Sequence, residues 1–196
     1  MKSLQGCIQV YTGNGKGKTT AAIGLAIRAL GAGKRVLFLQ FMKSKIYSEH
    51  TILGALSPNL TVETTGKPFF IVKEGMLSEA ELAKWGDDVV VFPQGKPPAD
   101  YLALMRTGVS RAKEAVTSGK YDIVILDELN VALFFELVSL SDVQAILDHK
   151  LSNVEVVLTG RGAPKEIIER ADLVTEMKEI KHYYNQGIEA RLGIEN

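Results

Sequence analysis

The chain has 196 residues, 46% of them hydrophobic and 23% charged, and its 23 Lys and Arg balance its 23 Asp and Glu. That length suits one domain, the apolar fraction excludes a disordered chain, and the zero balance excludes a polybasic nucleic-acid binder. The balance conceals an asymmetry. The first 48 residues carry eight cations (Lys2, Lys16, Lys18, Arg28, Lys34, Arg35, Lys43 and Lys45) and no carboxylate, Glu49 being the first acid. A front end without carboxylates points to an anionic ligand, although Lys2, Lys34 and Arg35 read as ordinary surface.

The single cysteine, Cys7, sits in an apolar run and reads as a small core residue, which excludes a disulfide framework. His50, His149 and His182 are scattered and show no zinc-ligand spacing. The sequence contains neither an apolar stretch long enough to span a bilayer nor the order of a signal peptide. A cytoplasmic protein without a membrane partner is expected.

Short apolar runs alternating with helical patterns predict an α/β fold with a mostly parallel sheet covered by helices. The first run, Cys7 to Tyr11, ends in a glycine-rich turn. Lys18 to Leu30 then reads as a helix, with Ala22, Leu25, Ala26 and Ala29 at spacings of three and four and Gly31 and Gly33 as its stop. Arg35 to Phe41 is a continuous apolar strand ending near Gln40, with Lys43 beyond it as either a surface or a functional cation. The segment Thr64 to Ala99 breaks the alternation. It holds Lys67-Pro68-Phe69-Phe70, a short helix from Ser78 to Trp85, the run Val89–Phe92 and a Pro-rich stretch. It reads as an inserted lid or subdomain of about residues 64–99 within one domain spanning 1–196.

A helix from about Asp100 to Ser118 follows, with Leu102, Met105, Val109, Ala112 and Val116 on one face and Gly119 as its stop. The strand Tyr121 to Leu126 runs directly into Asp127-Glu128. A helix over Ser141 to Lys150, a strand over Val154 to Thr159, a Gly160-Arg161-Gly162 turn, a helix opened by Pro164 and a short strand over Leu173 to Met177 complete the pattern.

The chemistry is concentrated at Thr12-Gly13-Asn14-Gly15-Lys16-Gly17-Lys18-Thr19-Thr20, between the first strand and the first helix. Glycines there let backbone amides approach phosphate oxygens, the helix offers its free N–H groups, Lys18 can reach the phosphates and the Thr19 hydroxyl can ligate a divalent metal. The loop departs from G-x-x-x-x-G-K-[ST], because Thr12 stands where the first glycine belongs and counting from Gly13 leaves it one residue short. Unusual nucleotide geometry is therefore expected. Ligands of open parallel sheets bind beyond the carboxyl ends of the strands. Asp127 and Glu128 lie at such an end as a candidate pair for Mg²⁺, and Arg161 at another as a candidate partner for a leaving phosphate. Arg28, within the first helix, is from spacing alone as well explained as a solvated charge.

Together these residues resemble the P-loop corrinoid adenosyltransferases, that is, ATP:cob(I)alamin adenosyltransferases. The likeness rests on Tyr11 to Ala22, Gln40-Phe41, Leu126-Asp127-Glu128-Leu129-Asn130 and Leu158-Thr159-Gly160-Arg161-Gly162. It rests also on the ending Lys181-His182, Gly187-Ile188-Glu189-Ala190 and Gly193-Ile194-Glu195. It covers most of the chain outside about residues 45–100. The resemblance implies a three-layer, RecA-like P-loop fold, a homodimer, Mg²⁺ or Mn²⁺, and transfer of the 5′-deoxyadenosyl group of ATP to the Co(I) of a reduced corrinoid with release of triphosphate. It implies a flavoprotein as the electron donor, Thr19 and Glu128 as metal-linked, Arg28 as a nucleotide contact, and ATP bound in reversed orientation on the short loop. Two features depart from the family. Its usual amino-terminal extension over the corrinoid is not seen before the first strand, and its Phe-Thr-Trp aromatic pair is replaced by Lys67-Pro68-Phe69-Phe70. Phe69 and Phe70 are the candidates for the corrinoid, with ordinary core phenylalanines as the alternative. The rival activity is ATP hydrolysis by a P-loop protein of RecA or signalling type, with Glu128 polarising water; a non-catalytic carrier is the third reading.

Overall fold

A computed structural model describes residues 5–44, 47–85 and 89–195, so Lys2 and Lys45 lie outside the described residues. The elements in chain order are β1 (Ile8–Thr12), α1 (Lys18–Gly31), β2 (Val36–Phe41), α2 (Glu49–Leu56), β3 (Leu60–Thr65), β4 (Phe70–Lys73) and α3 (Glu79–Trp85). Then come β5 (Val89–Phe92), α4 (Ala99–Thr117), β6 (Ile123–Asp127), α5 (Leu129–Phe134) and α6 (Leu140–His149). β7 (Glu155–Thr159), α7 (Lys165–Arg170), β8 (Leu173–Glu176) and a 3-10 turn (Tyr183–Gln186) end the chain. Among the described residues no helix is long and apolar enough to cross a membrane.

Six strands form one parallel sheet in the order β3-β2-β6-β7-β1-β8. Its central strands β2, β6 and β7 are apolar along most of their length because helices cover both faces, with polar residues at or near their ends. Alternation along each strand divides the core in two. Val36, Phe38, Ile125 and Val157 face α1, whose contact residues are Ala22, Ala26 and Ala29. Leu37, Leu39, Phe41, Val124, Leu126, Val156 and Leu158 face the other way, toward α4 and α6. Small residues on α1 bring that helix close to the sheet, and this closeness sets the position of the loop that precedes it.

α4 makes a similarly close approach at one point. A Cβ on Gly108 would lie 2.7 Å from Phe41 Cε1 and 3.1 Å from the Thr65 side chain, so a glycine stands in mid-helix. Arg111, one turn on, donates from Nε and Nη2 to Glu63 at 2.9 Å and ties α4 to the edge strand β3.

β3 was not expected from sequence, and Thr64 and Thr65, the start of the 64–99 segment, complete it by pairing with Gln40 and Phe41. Ala99, its last residue, opens α4. Between them β4 and β5 form a separate two-stranded parallel sheet, joined to the main body by Ile71 and Phe92 in the core and by Lys73 Nζ on the Phe134 carbonyl at 2.9 Å. The short helices α2 and α5 were also not foreseen.

Candidate active site

The site follows from the sheet register. Gln40 pairs with Asp127, and Leu126 pairs with Leu158, which brings Asp127 beside Thr159. All three lie two residues beyond Phe38, Ile125 and Val157, on the face toward α1. Thr19, in the first turn of α1, arrives on that face. Three neighbouring strand ends and one helix start thus converge on a single carboxylate.

Asp127 is fully buried and accepts four hydrogen bonds. Thr19 Oγ1 (2.9 Å) and Thr159 Oγ1 (2.6 Å) donate to Oδ1. Gln40 Nε2 (3.0 Å) and Lys43 Nζ (3.1 Å) donate to Oδ2. Lys43 Nζ also reaches Thr19 Oγ1 at 3.3 Å. Burial alone would lower the Lys43 pKa, but the charges of Asp127 and Glu128, the hydrogen bond to Asp127 and the charge of Glu49 outweigh it and raise the pKa. Glu128 follows with φ of 61°, a left-handed conformation that turns the chain sharply out of β6, and its amide donates to Thr159 Oγ1. Burial and then the Asp127 charge raise its carboxyl pKa, against the pull of Lys43, Lys18 and Arg161.

The glycine-rich loop spans five residues from the end of β1 to the start of α1, whose amino terminus has no side-chain cap. The amides of that first turn are free to meet an anion. Gly15 is different: its amide donates to the Met177 carbonyl at 2.7 Å. Cβ atoms at Gly13 and Gly15 would lie 2.4 Å and 2.7 Å from that same carbonyl. Glycine at these two positions is thus demanded by the chain leaving β8 as well as by any phosphate. Lys18 is buried and folds over the loop, donating to the carbonyls of Gly13 (2.7 Å) and Gly15 (2.6 Å). Desolvation lowers its pKa, opposed by Glu128 and Asp127 and reinforced by Arg161. Lys16 points away, to the Ile194 carbonyl at 2.8 Å and Glu195 at 3.9 Å.

Above this floor lies a polar cleft of about 670 Å³. Asn14 to Thr20 line it, together with Lys43, Glu128, Arg161 and the chain end at Gly193–Glu195. A second, apolar cleft of about 560 Å³ opens beside it between α5 and the small sheet. Asn14, Lys43, Tyr47, Phe70, Glu128 and Arg161 line both clefts. The structure separates the two phenylalanines. Phe70 is 49% exposed and stands on the shared wall, whereas Phe69 packs on Tyr101 at a ring distance of 6.1 Å and lines neither cleft. Arg28 is exposed on α1 and lines neither.

Among the described residues no three His, Cys, Asp or Glu gather as a metal cage. The Thr19 hydroxyl with Asp127 and Glu128 is nevertheless an all-oxygen set of the kind that suits Mg²⁺ or Mn²⁺ when a nucleotide completes the coordination. Gln40, Lys43 and Thr159 join this site through their hydrogen bonds to Asp127, a part that no motif in the sequence specifies. A lone glutamine inside the apolar run Val36–Phe41 was the available signal, since a buried amide requires a partner.

A parallel sheet with this loop between its β1 and α1, and an acid at the end of β6 facing it, places the chain among the P-loop nucleotide-binding α/β proteins. Comparison narrows that class. A family model described as "ATP:corrinoid adenosyltransferase BtuR/CobO/CobP" matches residues 4–196, and the chain belongs to this family. It is 31% identical to the corrinoid adenosyltransferase of Escherichia coli K12 over 97% of this chain and 86% of that protein. Identity is 32% with corrinoid adenosyltransferase CobA of Salmonella typhimurium, at the same coverage. It is 33% with the Pseudomonas aeruginosa corrinoid adenosyltransferase, over 97% of this chain and 84% of the relative.

Proposed function

We propose that the chain transfers the 5′-deoxyadenosyl group of ATP to the Co(I) of a reduced corrinoid, in the making or salvage of adenosylated corrinoid. The observation that carries this reading is the shared wall: a polar, cation-lined cleft and an apolar cleft meet at Phe70, Lys43, Glu128 and Arg161. A triphosphate suits the first and the broad apolar face of a corrinoid the second. The cobalt electron pair forms a bond to ribose C5′, the C5′–O bond breaks, and triphosphate departs with that bond's electrons. Cobalt is formally oxidised from Co(I) to Co(III), and no proton moves.

The demand on the protein is to hold a growing negative charge. The uncapped amides of α1, Lys18 and Arg161 face that charge, and fixed donors act most strongly where water is excluded. Gly13, Asn14, Gly15, Lys16, Gly17, Thr19 and Thr20 complete the nucleotide-binding stretch, with Lys16 exchanging its chain-end partners for phosphate. Mg²⁺ or Mn²⁺ held by Thr19, Glu128 and Asp127 would add positive charge to the same oxygens. Phe70 is assigned to the corrinoid, and the small sheet that carries it to the role of a lid. A homodimer in the cytoplasm and a flavoprotein as source of the electron belong to the same reading.

Incubation with Mg-ATP and chemically reduced cobalamin tests it. Inorganic triphosphate and a light-sensitive adenosylated product are the expected outcome. ADP and orthophosphate with an unchanged corrinoid spectrum would favour hydrolysis instead.

A further inference from the structure

Three front-end cations reach the loop region, and each has a different partner. Lys16 is held by the chain end and Lys18 by loop carbonyls. Lys43 sits between the Thr19 hydroxyl and the Asp127 carboxylate, with Glu128 close enough to shift it. We propose that the Lys43 ammonium holds the divalent cation's place in the nucleotide-free protein and is displaced when the metal arrives with ATP. The inference rests on the reading of Thr19, Asp127 and Glu128 as metal-linked.

Asp127 has no exposure and Lys43 has 13% in its side chain, so this is a pair largely out of water. A buried carboxylate left without a counter-ion is costly, and its neighbour Glu128 would add like charge. The ammonium removes that cost by touching two of the oxygens that a divalent ion would use. An ammonium and a divalent ion a few ångströms apart repel strongly, so the two exclude each other. A metal arriving alone must therefore evict an ion-paired lysine. A metal arriving with ATP brings its own anionic ligands and gives the evicted ammonium phosphate oxygens to pair with.

The surroundings permit the exchange. Lys43 lies beyond the end of β2 on irregular backbone, after Met42 at φ of 59°, and its flexible four-carbon stem reaches the wall of both clefts. The Tyr47 ring centroid, 5.2 Å from Nζ, offers an aromatic face beside the new position. Metal and nucleotide binding are coupled through this lysine, and a displaced Lys43 stays on the boundary with the apolar cleft.

The test uses Mn²⁺ alone, titrated into the nucleotide-free protein and followed by the electron paramagnetic resonance of the free aquo ion. Lys43→Met should bind Mn²⁺ at least about tenfold more tightly than wild type, because the competing charge is gone. Mn²⁺ should also raise the variant's thermal midpoint by more than the wild type's, which reports the uncompensated carboxylates even if the variant is less stable. Lys43→Arg, which keeps the charge, should bind Mn²⁺ as weakly as wild type. Equal or weaker binding by Lys43→Met, or no binding by either protein at millimolar Mn²⁺, overturns the place-holder. Metal-dependent ATP binding by wild type, measured alongside, upholds the metal site whatever Lys43 does, and its absence overturns both.

Discussion

At Lys18 the proposed part in chemistry can be separated from any part in folding. Its ammonium is buried, and its partners in this structure are two carbonyls of its own loop rather than an acid. Desolvation lowers its pKa, so the charged form is held at some cost. Lys18→Ala therefore removes a buried charge together with its hydrogen bonds to the loop carbonyls, and breaks no direct ion pair among the described residues. The effect on a urea unfolding midpoint should be small. Adenosylation should fall by roughly two to three orders of magnitude, as loss of a donor to a developing oxyanion does. Near-wild-type turnover in the folded variant would sink the assignment of Lys18 to the leaving triphosphate.

At the scale of elements, α4 sets two effects against each other at Gly108. Replacing a mid-helix glycine with alanine ordinarily gains about 1 kcal/mol of helix propensity. Here the added Cβ would stand 2.7 Å from the Phe41 ring, a fully buried side chain on the central strand β2, and 3.1 Å from Thr65. Overpacking of this kind costs about 1–3 kcal/mol, and an aromatic ring wedged in a core cannot swing aside as a surface chain can. Gly108→Ala should therefore be destabilising, by about 1 kcal/mol net in urea unfolding. A stabilised variant would mean that helix and sheet lie further apart than a 2.7 Å approach to the Phe41 ring requires.

The same elements explain what was legible in the sequence. β2, β6 and β7 are buried on both faces, so their apolar runs announced them, and α1 and α4 show a clear apolar stripe. β3 hides because an edge strand with one neighbour can keep Thr61, Glu63 and Thr64 half-exposed, and its acid is satisfied by Arg111 from another element. α2 and α5 have only eight and six residues, too few for a periodic signal. In the site, the loop, Asp127, Glu128 and Arg161 stood in recognisable words. Gln40 and Thr159 stood in such words as well, but their part, like that of Lys43, depends on strand order: only when β6 lies between β2 and β7 do they meet Asp127.

At the scale of the whole molecule, the last residues close on the first strand and loop. β8 pairs with β1, Met177 fits against Gly13 and Gly15, and the chain then returns so that Ile194 and Glu195 meet Lys16. Glu195 anchors that return. Its carboxylate accepts from the Arg191 amide at 2.9 Å, from the Arg191 guanidinium and from the Tyr183 hydroxyl. The Arg191 and Tyr183 hydrogen bonds hold its pKa at about 2, below the ordinary 4.5. A depressed carboxyl pKa stabilises the docked arrangement fully above the unfolded value of 4.5, and that contribution is lost as pH falls through about 2. The chain end should thus remain docked on Lys16 across the neutral and mildly acid range and loosen only in strong acid. Titration of the Glu195 carboxyl carbon by NMR checks this, with an expected midpoint near 2. A midpoint near 4.5 would mean that the carboxylate is solvated and the cleft open at its outer rim. Lys16 would then be free for a triphosphate before ATP arrives, whereas in the docked form ATP bound as proposed would first have to draw it away from Ile194 and Glu195.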